Sequence, residues 1–143
     1  MVAIDKRSSE RRPIPPPRRP PASRFDIGWR VVGVALLVAV LLTGIRLGSV
    51  PGWLGIWYLA AGLMSLAVYG FDKQAAIAGA WRVAEVNLHY LDLAGGIVGG
   101  LMGQVAFHHK VAKPDFSLGT AAIAGMHVVG LGAALVYSSG AFR

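Results

Sequence analysis

Residues 51–71 read PGWLGIWYLAAGLMSLAVYGF and contain no charged side chain. A helix of about 20 apolar residues is long enough to cross the hydrocarbon core of a bilayer. Aromatic side chains, which are enriched at membrane–water interfaces, mark both ends of the stretch: Trp53, Trp57 and Tyr58 at one end, Tyr69 and Phe71 at the other. This stretch therefore predicts a transmembrane helix and an integral membrane protein.

Three further apolar segments of comparable length occur in the chain, at about residues 27–45, 86–107 and 118–137. The first follows a long basic stretch and has no small-x-small cleavage site after Leu42, so we interpret it as a retained anchor, with Trp29 and Arg30 at the interface. A composition of 55% hydrophobic and 15% charged residues leaves too little polar surface to cover a soluble α/β globule. We predict an all-α integral membrane protein with about four transmembrane helices in residues 25–143.

The N-terminal segment, residues 1–24, has a different composition, in which prolines alternate with arginines. It has almost nothing apolar to bury, which predicts a disordered tail with polyproline II character. Eight of the fourteen Lys and Arg residues lie before residue 31, and basic flanks favour the cytoplasmic side. We therefore predict a cytoplasmic N-terminus; contact of the tail with anionic lipid or nucleic acid is an alternative role.

The residue types exclude several kinds of chemistry. The chain has no cysteine, so it forms no disulfide, thiolate metal site or cysteine nucleophile. It has no phosphate-binding P-loop, and no dinucleotide fingerprint between a strand and a helix. Glu85, His89 and Asp92, with His127 or His109, offer nitrogen and oxygen ligands, but their spacing is a weak metal pattern. We predict no catalytic residue, no cofactor and no metal site.

The third apolar segment is unusual because it carries ionisable groups. Glu85, His89 and Asp92 are spaced by four and three residues, which places them on one face of a helix. A carboxylate at the depth of Asp92 costs roughly 2.5–3.5 kcal/mol at mid-membrane, so it needs a partner or a purpose. The segment continues with glycines that predict close packing against a neighbouring helix: Gly95, Gly96, Gly99, Gly100 and Gly103.

The two basic loops on either side of this segment leave the topology open. If every segment crosses, the loops at residues 72–85 and 108–115 lie on opposite sides, although both carry cations that favour the cytoplasm. Alternatively, the third segment is bent or re-entrant, which is allowed where protein satisfies its backbone. We favour the full crossing, because about twenty mostly apolar residues normally span.

The loops and the third segment together form the candidate site. Clustered interfacial cations can hold lipid headgroups or other phosphates, and Arg82 and Glu85 are spaced to pair with each other. The candidate residues are Asp72, Lys73, Arg82, Glu85, His89, Asp92, His109, Lys110 and Lys113.

The order of these residues resembles a family pattern of approximately D-K-x-x-A, R-x-P-E, G-G-x-x-G and H-K-x-x-K-x-x-F. The matching positions run from Asp72 to Phe116, within a similarity that extends over about residues 55–137. The chain resembles domain of unknown function family 1294, and the resemblance implies a small bacterial integral membrane protein of unassigned activity, sometimes fused behind a cold-shock domain. Ala84 replaces the usual proline, and Asp92 stands where an aliphatic residue is expected.

Three functions remain open from the sequence. The first is a non-catalytic module that binds an anionic group, such as lipid phosphate, at the cytoplasmic face of the bacterial inner membrane. The second is an oligomeric small transporter or proton-coupled channel that uses Asp92, His89 and His127 as an intramembrane relay. The third is a membrane enzyme acting on a lipid, with His89 or His109 as the base. The expected partners are the bilayer, anionic lipid and a second copy of the chain.

Overall fold

The structure is a computed structural model that describes residues 24–108 and 113–139. Helix α1 spans Arg24–Arg46, α2 spans Gly52–Ala78, α3 spans Glu85–Leu91, α4 spans Ile97–Phe107 and α5 spans Pro114–Ser138. A π-helical turn, Asp92–Gly96, joins α3 to α4. The predicted tail lies outside the described residues except for Arg24, which belongs to α1.

Within the described residues, four stretches are long and apolar enough to cross a membrane: Ile27–Arg46, Gly52–Ala78, Glu85–Phe107 and Pro114–Ser138. They coincide with the four segments recognised in the sequence, and the described residues contain helices but no strand. The prediction of an all-α, multi-pass membrane protein is confirmed. Because α2 continues to Ala78, the second helix is one to two turns longer than its apolar stretch predicts.

Local sequence explains where the helices begin and end. Gly79 adopts a left-handed φ of 65° after α2 and donates its N–H to the Ala75 carbonyl, as glycine commonly does at a helix C-terminus. Pro114 occupies the first turn of α5, followed by Asp115, which suits the proline preference and the positive end of the helix dipole.

Helix α3 runs antiparallel to α2. The Val83 N–H donates to Asp72 near the end of α2, and the Asp92 carboxylate accepts from Tyr69 about one turn earlier in α2. The Trp57 indole, nearer the start of α2, donates to the Ala94 carbonyl at 2.8 Å. The contacts therefore move backward along α2 as the chain advances from residue 83 to residue 94.

At Gly95 the chain reverses its direction. Gly95 has φ 116° and ψ −4°, a conformation that L side chains rarely adopt. Beyond it, Gly99 lies on the backbone of Gly62, and Phe107 lies against Gly70. The contacts now move forward along α2, so α4 runs parallel to α2. The pair of half-helices α3 and α4 forms a hairpin with its tip at residues 93–96.

A second distance shows the same reversal. A Cβ built on Gly100 would lie 2.1 Å from the Asp92 carboxylate, whereas eight residues of a straight helix separate two positions by about 12 Å. The tip is about ten residues from Glu85, or roughly 15 Å, which is about half of a hydrocarbon core of ~30 Å.

The two ends of the hairpin lie on the same side of the bundle. Lys113 Nζ is 2.5 Å from Glu85 Oε2, although a straight helix from Glu85 to Phe107 would separate its ends by about 33 Å. Six extended residues after Phe107 reach at most about 20 Å. The third segment is long enough to cross, but its contacts correspond to the bent, re-entrant alternative rather than to the full crossing that the sequence favours.

The remaining helices pack around the hairpin as full-length elements. Arg30 of α1 bonds to Ser117 of α5, and Gly44 near the end of α1 faces Leu135 near the end of α5, so α1 and α5 run parallel. We call the side with Glu85, Phe107 and Pro114 the near face, and the side where α1 ends and α2 begins the far face. The main apolar core consists of the buried side chains of Leu37, Leu41, Val50, Tyr58, Ile97, Leu101, Ala124 and Leu131.

Candidate functional site

Asp72 organises the near-face loop between α2 and α3. Its side chain is fully buried, and its carboxylate accepts the Val83 N–H at 2.9 Å and lies 3.6 Å from the Arg82 guanidinium. The Arg82 side chain remains 49% exposed. Asp72 therefore holds the loop backbone and leaves the outer side of the guanidinium open.

The second near-face ion pair joins the base of the hairpin to α5, between Glu85 and Lys113. The predicted pairing of Arg82 with Glu85 is therefore corrected, because the returning chain brings Lys113 to Glu85 and Arg82 lies on Asp72. Lys73, the next residue of α2, is half-buried at the same face. His109 and Lys110 lie outside the described residues, between His108 and Lys113.

His89 lies on the side of α3 that faces α5. Its ring stacks on Phe116, with centroids 4.4 Å apart and planes inclined by 27°, and it also lies against Gly119. Glu85 and His89 thus both face α5. Asp92 faces α2 and α4 instead, since the π-helical turn changes the helical register after Leu91.

Asp92 is the centre of a polar cluster inside the bundle. Its carboxylate accepts the Ser65 hydroxyl and the Tyr69 hydroxyl, each at 2.7 Å. All three side chains are fully buried. Two donors thus replace the water that a carboxylate loses at membrane depth, which is the condition for keeping a polar group there.

The cluster continues to the other helices through Gln104. The Gln104 amide nitrogen lies 3.2 Å from both the Tyr69 hydroxyl and Thr120 Oγ1. Its oxygen accepts the Arg30 Nε–H at 2.8 Å, and Arg30 also donates to Ser117 at 2.6 Å. One hydrogen-bonded network therefore joins α1, α2, both arms of the hairpin and α5.

Sequence reasoning missed most of this network. Tyr69 and Arg30 were expected at the membrane interface, but both are fully buried, because the hairpin and α5 cover the faces on which they lie. A signal was present in α2, where the buried positions are Tyr58, Gly62, Ser65, Tyr69, Asp72 and Ala75. Their spacing of three and four residues places them on one face of the helix. The side chains on this face are mostly small or polar, although the rest of the helix is apolar.

The glycines of the third segment lie where the backbone approaches its neighbours. A Cβ on Gly99 would lie 1.7 Å from the Gly62 carbonyl oxygen, one on Gly96 2.8 Å from Ser65 Cβ, and one on Gly103 2.8 Å from Tyr69 Cβ. These three glycines face α2, and Gly100 faces Asp92. The absence of side chains lets α4 pack closely enough on α2 for Asp92 to reach Ser65.

His127 lies in the far half of the bundle, away from His89. Its Nδ1 is 2.5 Å from the Tyr58 hydroxyl, and it follows Gly119, which His89 contacts, by eight residues or about 12 Å of helix. Tyr58, expected at the interface, is buried because α5 covers it. His89 and His127 therefore lie in separate surroundings, whereas the His127 ring lies beside the backbone of Asp92 and Leu93, on the other side from the buried Asp92 carboxylate.

The described residues hold no group of three His, Asp or Glu side chains placed to share a metal ion. At the near face Asp72 lies against Arg82 and Glu85 lies against Lys113. These positive side chains repel a metal cation. The cationic side chains of this face are partly accessible: Arg82 is 49% exposed and Lys113 is 32% exposed.

The segment from Gly62 to Phe116 contains the second half of α2, the whole hairpin and the first residues of α5. It matches the family model described as Protein of unknown function (DUF1294). Over residues 62–116 the chain is similar to the DUF1294 family. The resemblance proposed from the sequence is confirmed over this range, which is shorter than residues 55–137.

The DUF1294 match includes Ser65, Tyr69, Asp92 and Gln104 but neither α1 nor most of α5. The unit shared with DUF1294 is therefore the hairpin and the half of α2 that holds it. No curated protein and no solved structure matches the chain.

Proposed function

We propose that the protein is a non-catalytic multi-pass membrane module that holds the phosphate of an anionic lipid at its near face. The observation that carries the proposal is the Glu85–Lys113 contact. It closes the base of the hairpin and so brings the loop at residues 79–84 and the start of α5 to the same face. A re-entrant hairpin thus gathers cations that a crossing helix would separate by the thickness of the bilayer.

The side chains of the near face suit a headgroup region. Arg82 is half exposed and Lys113 about one-third exposed, and a guanidinium can bind phosphate through two parallel hydrogen bonds. Trp81, beside Arg82, is 92% exposed, and indole rings are enriched at the level of lipid headgroups. The cations supply attraction for the phosphate, and the indole supplies an anchor at the same depth.

The re-entrant geometry also supports a cytoplasmic near face at the bacterial inner membrane. The near face includes Lys73, Arg82 and Lys113, and α1 begins there after the arginine-rich tail. Among the described residues of the far face, Arg46 is the only Lys or Arg. This distribution follows the positive-inside tendency, and the conflict between the two basic loops in the sequence no longer arises.

The geometry gives less support to the two other functions. A relay needs neighbouring proton carriers, but His89 and His127 are separated, and the Asp92 network contains Gln104 and Arg30, which do not exchange protons readily. A lipid enzyme needs a positioned nucleophile or base, and His89 is stacked on Phe116. The buried network instead suits a structural role, in which it holds the hairpin in place.

The test is the anionic lipid that remains with the protein purified in mild detergent, measured by mass spectrometry. Arg82→Gln and Lys73→Gln should each reduce bound phosphatidylglycerol, since a cation near a membrane surface contributes about 1 kcal/mol, or roughly fivefold in affinity. Arg46→Gln is the matched control, because it removes an exposed cation from the far face. Equal lipid content in all four proteins would overturn the proposal.

A further inference from the structure

We propose that the outer face of α3 binds the ester linkage of the same lipid whose phosphate lies at the near face. The inference deepens the proposed function and rests on it. The residues that carry it are Asn87 and Tyr90, whose side chains are exposed on α3. They donate hydrogen bonds to the ester carbonyls of a phospholipid in the near-face leaflet, so the ligand class narrows to ester-linked phospholipids.

The two residues lie on the side of the hairpin arm that turns away from the bundle. Leu88 and Asp92 of the same arm are fully buried, whereas Val86 is 52% exposed and Tyr90 65% exposed. Asn87 is exposed as well, and it is a neighbour of Tyr90 on the helix surface because the two are three residues apart. The outward side of a helix in a membrane bundle contacts lipid, so a phospholipid of the near-face leaflet covers this face.

Both polar side chains need hydrogen-bond partners from outside the described chain. Neither the Asn87 amide nor the Tyr90 hydroxyl bonds to another described residue. A polar group that leaves water without a new hydrogen bond is unfavourable. The amide offers two N–H donors and the phenol one O–H donor, and the acceptors of a phospholipid closest to its hydrocarbon chains are the two ester carbonyls. The donors of the face and the acceptors of the lipid are therefore complementary.

The depth of the two donors matches the level of the ester linkage. Helix α3 begins at Glu85 on the near face, so Asn87 and Tyr90 follow the start of the helix by about 3 Å and about 7.5 Å. Long side chains on a helix point back toward its N-terminus, which brings the Tyr90 hydroxyl toward the level of Asn87. The ester groups of a phospholipid lie directly beneath its phosphate, as these donors lie beneath the near face.

One lipid molecule can reach both the phosphate site and the ester site. The Asn87 N–H donates to the Ala84 carbonyl at 3.0 Å, and Ala84 follows Arg82 by two residues, at most about 7 Å of chain. Asn87 therefore lies within roughly 13 Å of the Arg82 backbone. An extended guanidinium side chain and a glycerol phosphate headgroup together bridge a separation of this size.

Two substitutions remove the donors and preserve the shape of the face. Tyr90→Phe removes one hydroxyl, and Asn87→Leu replaces the amide with an apolar side chain that branches at the same carbon. Tyr137→Phe is the matched control, because Tyr137 is 80% exposed near the end of α5, in the opposite leaflet. All three side chains are exposed, so the variants should fold.

The experiment measures the binding of dioleoyl phosphatidylglycerol and of its dioleyl ether analogue to the protein in mild detergent, by native mass spectrometry. The two lipids share the headgroup and the chain length, and they differ in the ester carbonyls. The wild type and Tyr137→Phe should bind the ester lipid about threefold to tenfold more tightly than the ether lipid. The double variant Asn87→Leu with Tyr90→Phe should bind both lipids equally, with the affinity of the wild type for the ether lipid.

Arg82→Gln separates this inference from the proposed function, because it should weaken both lipids about fivefold and keep the preference for the ester. Equal binding of the two lipids by the wild type, or a preference that survives in the double variant, overturns the ester site even if Arg82→Gln weakens both lipids. Loss of the preference in Tyr137→Phe overturns its assignment to the near-face leaflet. A preference that depends on Asn87 and Tyr90 but is accompanied by no effect of Arg82→Gln supports the ester contact and overturns the phosphate site.

Discussion

At the scale of single residues, the packing of α4 on α2 depends on one asymmetric pair of glycines. A Cβ on Gly99 would lie 1.7 Å from the Gly62 carbonyl oxygen, but a Cβ on Gly62 would lie 3.5 Å from the nearest atom of Gly99. The second distance is ordinary van der Waals contact. Alanine should therefore destabilise the protein at position 99 and be tolerated at position 62.

We expect Gly99→Ala to destabilise the protein by about 1–3 kcal/mol or more, since the added methyl forces two backbones apart. Gly62→Ala should be tolerated and serves as the control in the same interface. The midpoint of thermal unfolding in detergent measures both. If the two variants have the same midpoint, the backbone contact described for Gly99 is not present.

At the scale of elements, the hairpin depends on satisfying the backbone at its tip. The break at Gly95 interrupts the helical hydrogen-bond pattern at mid-membrane, where water does not replace the missing partners. The Trp57 indole N–H supplies one partner, to the Ala94 carbonyl, and a side chain on Gly95 would collide with that indole at 2.9 Å. Trp57 thus does more than mark an interface.

We expect Trp57→Phe to lower the free energy of unfolding by about 1–3 kcal/mol, the cost of leaving a carbonyl that faces lipid without a donor. Trp53→Phe, on the same helix and 65% exposed, is the matched control and should change stability little. Chemical unfolding in mixed micelles gives both values. Equal effects would show that Trp57 contributes only apolar contact with lipid.

At the scale of the whole molecule, the re-entrant hairpin changes which loops share a side of the membrane. Three full-length helices, α1, α2 and α5, run between the near and far faces, and the hairpin enters and leaves at the near face. The chain therefore has an odd number of crossings over its described residues. Ser139 lies on the side opposite to the start of α1.

The lack of cysteine allows a direct test with single cysteines at exposed positions: Ala80→Cys, Asp115→Cys and Leu47→Cys. A membrane-impermeant maleimide added to whole cells should label Leu47→Cys, and the other two only after the cells are opened. A full crossing by the third segment would place Asp115 with Leu47. Labelling of Asp115→Cys from outside would therefore contradict the hairpin.

The near-face site was predictable in part. The sequence placed Asp72, Arg82, Glu85 and Lys113 in two loops beside an unusual glycine-rich segment, and these loops lie at one face in the structure. The pairing was not predictable, because it depends on the return of the chain at Gly95. Spacing along the sequence favoured Arg82 with Glu85, and the fold pairs each with a different partner.

The sequence by itself determined the class of protein, its four apolar segments and their approximate ends, because hydrophobic length and interfacial residues depend on local composition. Only the tertiary structure decided that the third segment folds back. Residues 86–107 are long enough to cross or to form two half-helices. The choice rests on contacts distant in the chain: the close approach of Gly99 to Gly62, and the hydroxyl donors that Ser65 and Tyr69 offer to Asp92.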